Sequence, residues 1–193
     1  MRNRGVSIHI PPHTYITLAF CMVLLPLRCV GAWIFSVVIH ECGHLVACRL
    51  CGAKKYDIRI LPHGMKIWAE GLSPTKQLIS SIAGPFAGFT VLLFAKWIPL
   101  TALCSAILSV FNLLPITNSD GYHVLRCILY WFELQTKADR VCQIADIVSR
   151  VLLCCLVLYI SWMLCWPIGI VVCVLLMLRL KRNPCKEAAL QVQ

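Results

Sequence analysis

Two histidines and a glutamate interrupt one of the most apolar stretches of the chain, Val37-Val-Ile-His-Glu-Cys-Gly-His-Leu-Val-Ala47. On a helix, residues i and i+4 lie about 40° apart around the axis and one turn apart along it, so His40 and His44 can reach one metal ion. Glu41 points to their side, placed to act on a water molecule rather than to ligate. With six histidines in the chain, chance produces H-E-x-x-H somewhere with a probability on the order of 0.004. Ionisable groups at membrane depth each cost about 2.5 to 3.5 kcal/mol on insertion scales, so they call for a partner or a function.

A catalytic zinc takes three protein ligands and keeps one position open, so a third group is needed. Asp57 lies in a loop, and Asp139 and Asp146 lie in a polar stretch, 117 to 150. Asp120 instead follows an apolar segment directly, in Phe111-Asn-Leu-Leu-Pro-Ile-Thr-Asn-Ser-Asp-Gly-Tyr-His123, where Pro115 and Gly121 break the helix and free a carboxylate to swing inward. The other reading makes Asp120 the N-cap of a helix running through Tyr122 to Glu133. Cys48-Arg-Leu-Cys51, one turn beyond His44, also has metal-ligand spacing, but one isolated C-x-x-C at a helix end is a weak signal. Imidazole and carboxylate ligands point to zinc, and cobalt or iron would fit the same set.

The elements that must position these groups are membrane helices. Of 193 residues, 60% are hydrophobic and 13% charged, and the mean hydropathy is +0.80, well outside the soluble globular range. The long apolar runs lack the alternation of a β-barrel, which leaves an all-α polytopic membrane protein. Segments long enough to cross, or nearly cross, a bilayer run at 14–28, 31–50, 77–95, 97–116, 144–160 and 164–180, which predicts about six transmembrane helices in a single domain, 1–193. The core is 31–130 and the C-terminal helix pair is 144–180. All Lys and Arg except Arg28 and Lys96 fall in four clusters that alternate segments would place on one side. That side is expected to be cytoplasmic, with both termini inside the cell membrane. The second and fourth segments then run in the same direction and bring Asp120 to the leaflet of His44. His40 is expected about 13 Å from the outer boundary and His44 about 10 Å from the inner one.

The loop after the second segment alternates polar and apolar residues from Tyr56 to Ile60 and from Met65 to Trp68, around Pro62-His63-Gly64. It reads as a short β-hairpin or edge strand, or as a solvated basic loop. No small-residue cleavage site follows the basic N-terminus, so the first segment is expected to remain. Most of the thirteen cysteines, among them Cys21, Cys104, Cys154, Cys155, Cys165 and Cys173, lie in apolar runs where cysteine packs as a small hydrophobe. A net charge of +10 without a basic stripe interleaved with aromatics gives no nucleic-acid partner. The lipid bilayer is the partner the composition demands.

His40-Glu41-Cys42-Gly43-His44, Ala83-Gly84-Pro85, and Asn112-Leu-Leu-Pro115 followed by Asp120-Gly121 together resemble the signatures of the site-2 protease family of intramembrane zinc metalloproteases. The resemblance covers about residues 31 to 130. It is closest to the sporulation-type members, which process a membrane-tethered pro-sigma factor. It implies Zn²⁺ held by His40, His44 and Asp120, Glu41 as general base, and a membrane protein as substrate. A pro-sigma or anti-sigma factor would be of that kind, and a regulatory membrane partner would fit. It also implies that Asn112, Asn118, Pro85 and Gly84 serve substrate binding or the surroundings of the ligands, with His123 lining a polar cavity. Gly84 and Gly88 also form a small-xxx-small face, for which ordinary helix packing suffices. Family members often have asparagine at the position of Gly88 and Pro-Leu before the Asp-Gly pair, where this chain has Asn118-Ser119. The tail after Leu180 is too short for the nucleotide-sensing domain of many sporulation-type members. Two other classes compete: an inactive relative that binds membrane clients, which would be free to lose Glu41, and a metal transporter, which would need polar residues spaced through the remaining helices.

Overall fold

The computed structural model describes residues 6–9, 19, 22–23, 25–53, 55–61, 64–70, 72–132 and 135–163. In chain order the elements are β1 (Val6–His9), α1 (Leu27–Leu50), β2 (Lys55–Leu61), β3 (Gly64–Glu70), α2 (Pro74–Thr90) with a 3-10 turn at Val91–Phe94, α3 (Pro99–Leu113), α4 (Asp120–Trp131) and α5 (Gln135–Met163). The strands form one sheet in the order β1-β2-β3. β1 is parallel to β2, and β2 is antiparallel to β3, with Ile58 opposite Ile67.

Leu27–Leu50, Pro74–Phe94 and Thr136–Met163 are long and apolar enough to cross a membrane, and Pro99–Leu113 is a shorter apolar helix. The expected segment 164–180 and most of 14–28 lie outside the described residues. α1 starts four residues before the expected 31, because Pro26 supplies the extended residue before the first turn; Arg28 therefore lies within the helix. Measured from Leu27, His40 is about 20 Å into the helix, further than the ~13 Å expected, and His44 is about 9 Å from its far end, close to the expected ~10 Å.

α1 ends in a Schellman turn. Gly52 takes a φ of +81°, its amide bonds to the Arg49 carbonyl (3.2 Å), and the Ala53 amide bonds to the Cys48 carbonyl (3.1 Å). The apolar contact that accompanies this motif is made by Cys48 and Ala53, both buried. The Lys76 ammonium donates to the Cys51 carbonyl at 2.8 Å, placing a cation at the negative end of the helix.

α1 packs against α2 and α3, and α2 also packs against α4. Small residues and buried hydroxyls allow this close approach. Ser36 Oγ donates to the Ala32 carbonyl of its own helix and lies 3.2 Å from the Thr101 carbonyl of α3, while Ser105 Oγ donates to the Gly88 carbonyl of α2 at 2.9 Å. Lipid gives helices little hydrophobic reason to associate, so such bonds and close backbone packing hold the bundle together.

The polar stretch 117–150 is mostly helical. It folds into α4 and the first half of α5, one helix that runs on without a break through the apolar segment expected at 144–160. Asp146, part of that polar stretch, is buried, as is Arg150 one turn later.

Candidate metal centre

The middle of α1 carries His40, Glu41 and His44, all buried. His44 has a defined orientation: Nδ1 donates to the Ser80 carbonyl of α2 at 2.7 Å, which leaves the Nε2 lone pair facing away from that bond. Gly84 lies one turn after Ser80, and a Cβ there would overlap the His44 ring. The absence of a side chain at 84 is what lets the imidazole lie against the α2 backbone. Pro85 is fully buried and removes the amide that would otherwise bond to Ser81.

Asp120 arrives from the opposite direction. α3 ends at Leu113, and the chain turns through Leu114 to Ser119 before α4 begins. Ser119 Oγ donates to the carbonyl oxygens of Leu114 and Ile116 and accepts from the Tyr122 amide. Ser119 is therefore the N-cap of α4, and Asp120 is its first residue. The cap reading of Asp120 is corrected by one position, which frees the Asp120 carboxylate for the bundle interior. A Cβ at Gly121 would strike the Leu113 and Leu114 carbonyls, so only glycine lets α4 start this close to the end of α3.

The three side chains converge. Asp120 Oδ2 lies 3.0 Å from His40 Nε2 and 3.2 Å from His44 Nε2, and the two nitrogens are 3.3 Å apart. Among the described residues this is the group of His, Cys, Asp and Glu side chains placed to share one metal ion. Bonds of 2.0 to 2.2 Å at tetrahedral angles separate ligand atoms by about 3.3 Å, so this triangle has the size that zinc requires. Asp120 keeps 20% of its side chain exposed, against 2% for His40, so the open side lies towards the aspartate.

Asn112, in the last turn of α3, brings Nδ2 within 3.3 Å of His40 Nε2. His40 Nδ1 is buried with no hydrogen-bond partner among the described residues. That ring is thus oriented by packing and by Nε2 contacts, rather than by a second acceptor of the kind that holds His44. Asn118 contributes its backbone, taking a φ of 76° within the turn that precedes Asp120. His123 packs edge-on to Tyr122, with ring centroids 6.2 Å apart. Cys48 is bonded to Ser80 Oγ at 2.9 Å, on the far side of the residue whose carbonyl holds His44, and does not join the metal cluster.

Ser80 and Ser119 went unnoticed in the sequence. Ser80 acts through a backbone carbonyl, which any residue could supply. Ser119, directly before an acidic first turn, is a recognisable capping signal.

A structural comparison matches the chain to the site-2 protease from Methanocaldococcus jannaschii, with a TM-score of 0.61 and 21% identity, covering 91% of this chain and 89% of that one. The fold is that of a site-2 protease. In sequence, the chain is 28% identical over 156 residues to the zinc metalloprotease MJ0392 of Methanocaldococcus jannaschii, a match covering 66% of this chain and 46% of that protein. The chain thus spans about half the length of this curated relative, 46% of it. No protein-family model matches the sequence.

Proposed function

We propose that this protein is an intramembrane zinc metalloprotease that hydrolyses a peptide bond of a membrane-embedded or membrane-tethered substrate. The observation that carries the proposal is the triangle of His40 Nε2, His44 Nε2 and Asp120 Oδ2, with edges of 3.0 to 3.3 Å, next to the buried Glu41. The similarity to MJ0392 supports the metal assignment.

Zinc at such a site supplies Lewis-acid polarisation of a carbonyl and acidifies water towards a pKa of about 7. Glu41 takes the proton of the attacking water and returns it to the leaving amine, a general base that becomes a general acid. The Asn112 amide, whose Nδ2 lies 3.3 Å from His40 Nε2, is placed to donate a hydrogen bond to the scissile carbonyl. Burial of His40 and Glu41 keeps bulk water from competing for these contacts. A helical substrate hides its carbonyls in i to i−4 bonds and must unwind before attack. In the sheet β2 is central, so strand addition by the extended peptide would use an edge strand, which within the loop after α1 is β3.

Six transmembrane helices rest on the apolar segments of the sequence and cytoplasmic termini on the placement of Lys and Arg, whereas a pro-sigma or anti-sigma factor as substrate rests on the resemblance to the sporulation-type members. The deciding experiment purifies the full chain in detergent and follows zinc content together with cleavage of a tethered substrate. Chelation should stop cleavage and added zinc should restore it. A wild-type protein that cleaves equally well after complete metal removal would overturn the assignment.

A further inference from the structure

The turn that delivers Asp120 is fastened to α5 by a buried ion pair. Asp146 Oδ1 accepts the Thr117 backbone amide at 2.6 Å and the Arg150 Nε–H at 2.9 Å. Both residues are buried, at 8% and 5% exposure, within a helix otherwise apolar enough to cross a membrane. A buried ion pair adds little net stability over apolar residues of the same volume, so its presence in such a helix asks for a role other than stability. Thr117 lies three residues before Asp120. Inside the turn, the Ile116 amide bonds to the Leu114 carbonyl and the Ser119 amide to the Ile116 carbonyl, which fixes its shape. The Asp146 bond fixes its position against a different helix.

We propose that Asp146, held by Arg150, is a positioning residue that sets Asp120 at ligand distance from His40 and His44 by anchoring the Thr117 amide, so that α5 controls metal affinity. This rests on the metal-site reading above. Ligand distances in metal sites keep within about 0.2 Å of their usual values, so the turn that carries Asp120 must be held in place before the ion binds. Arg150 orients the carboxylate and offsets its charge, and the oxygen facing Thr117 does the positioning.

The test measures Zn²⁺ affinity of the metal-free full chain by chelator competition, together with hydrogen exchange of the 114–120 segment. Asp146→Leu combined with Arg150→Leu removes the acceptor and both charges at once, and should weaken zinc binding about 10-fold or more while Thr117 exchange accelerates. Asp146→Asn combined with Arg150→Gln also removes both charges but keeps an oxygen towards Thr117. It should bind zinc as the wild type does and keep the amide protected. Wild-type affinity in the leucine pair, or equal losses in both pairs, overturns the inference. Should the leucine pair fail to fold, Asp146→Glu keeps the ion pair and shifts the carboxylate by one methylene. It should weaken zinc binding and speed Thr117 exchange, and wild-type values for both overturn the inference. If Asp120→Ala loses zinc and the leucine pair does not, positioning by Asp146 falls and the metal site stands. If Asp120→Ala binds zinc as the wild type does, both fall.

Discussion

Asp120 Oδ2 lies 3.0 Å from His40 Nε2, although eighty residues separate the two in sequence. The contact joins the middle of α1 to the first residue of α4, and the proposed chemistry depends on it.

Glu41 and Asp120 should separate metal binding from catalysis. Glu41→Gln keeps the shape of the site but not its base. It should retain one zinc per chain and lose cleavage by about 10² to 10⁴-fold, the usual worth of a positioned general base. Asp120→Ala should lose both zinc and cleavage. Metal analysis beside a cleavage assay checks the pair, and a Gln variant that cleaves normally rules out proton transfer by Glu41.

Gly84→Ala places a methyl group where the His44 ring lies. Either the ring turns away from the Ser80 carbonyl or α1 and α2 separate, and zinc affinity should fall about 10 to 100-fold, as when a ligand loses its orienting partner. Gly31→Ala is the control, because a Cβ there meets nothing within 4 Å and the position is exposed within α1. Zinc titration should leave the control at wild-type affinity, and equal affinity in both variants would show that the ring has room to move.

Ser119→Ala removes the cap of α4 and the hydroxyl that bonds to Leu114 and Ile116. Loss of an N-cap costs about 0.5 to 2 kcal/mol. Cleavage should fall further than stability, because the lost bonds shape the turn that carries Asp120. Thermal unfolding followed alongside initial rates separates the two effects, and a stability loss with unchanged rates would limit Ser119 to capping.

Gly88→Asn introduces the residue that family members often have, but a Cβ there would overlap Ser109 Oγ of α3. Overpacking of this kind costs about 1 to 3 kcal/mol. Adding Ser109→Ala removes the obstructing hydroxyl and should recover much of the loss, a coupling that a double-mutant cycle on detergent-solubilised protein would measure. Additive effects would show that the two sites do not share this space.

Local spacing carries local chemistry. Helical periodicity alone places His40 and His44 on one face with Glu41 beside them, and the apolar runs alone require helices, because lipid admits only helices and closed barrels and these runs lack a barrel's alternation. The break after α3 was legible at Pro115, which acts on its immediate neighbours, whereas Gly121, expected to break the helix, lies inside α4 and serves its close approach to the end of α3. Tertiary structure decided what passes between helices. That Ser80 offers its carbonyl to His44 and that Gly84 must lack a side chain depend on which backbones approach each other. Asp146 shows the limit most clearly. In the sequence it is one acid in a polar stretch, and its tie to Thr117 exists only because α5 folds back against the turn, 29 positions from the residue it holds. Periodicity reports the face of a single helix, whereas convergence on one point in space is a property of the packed bundle.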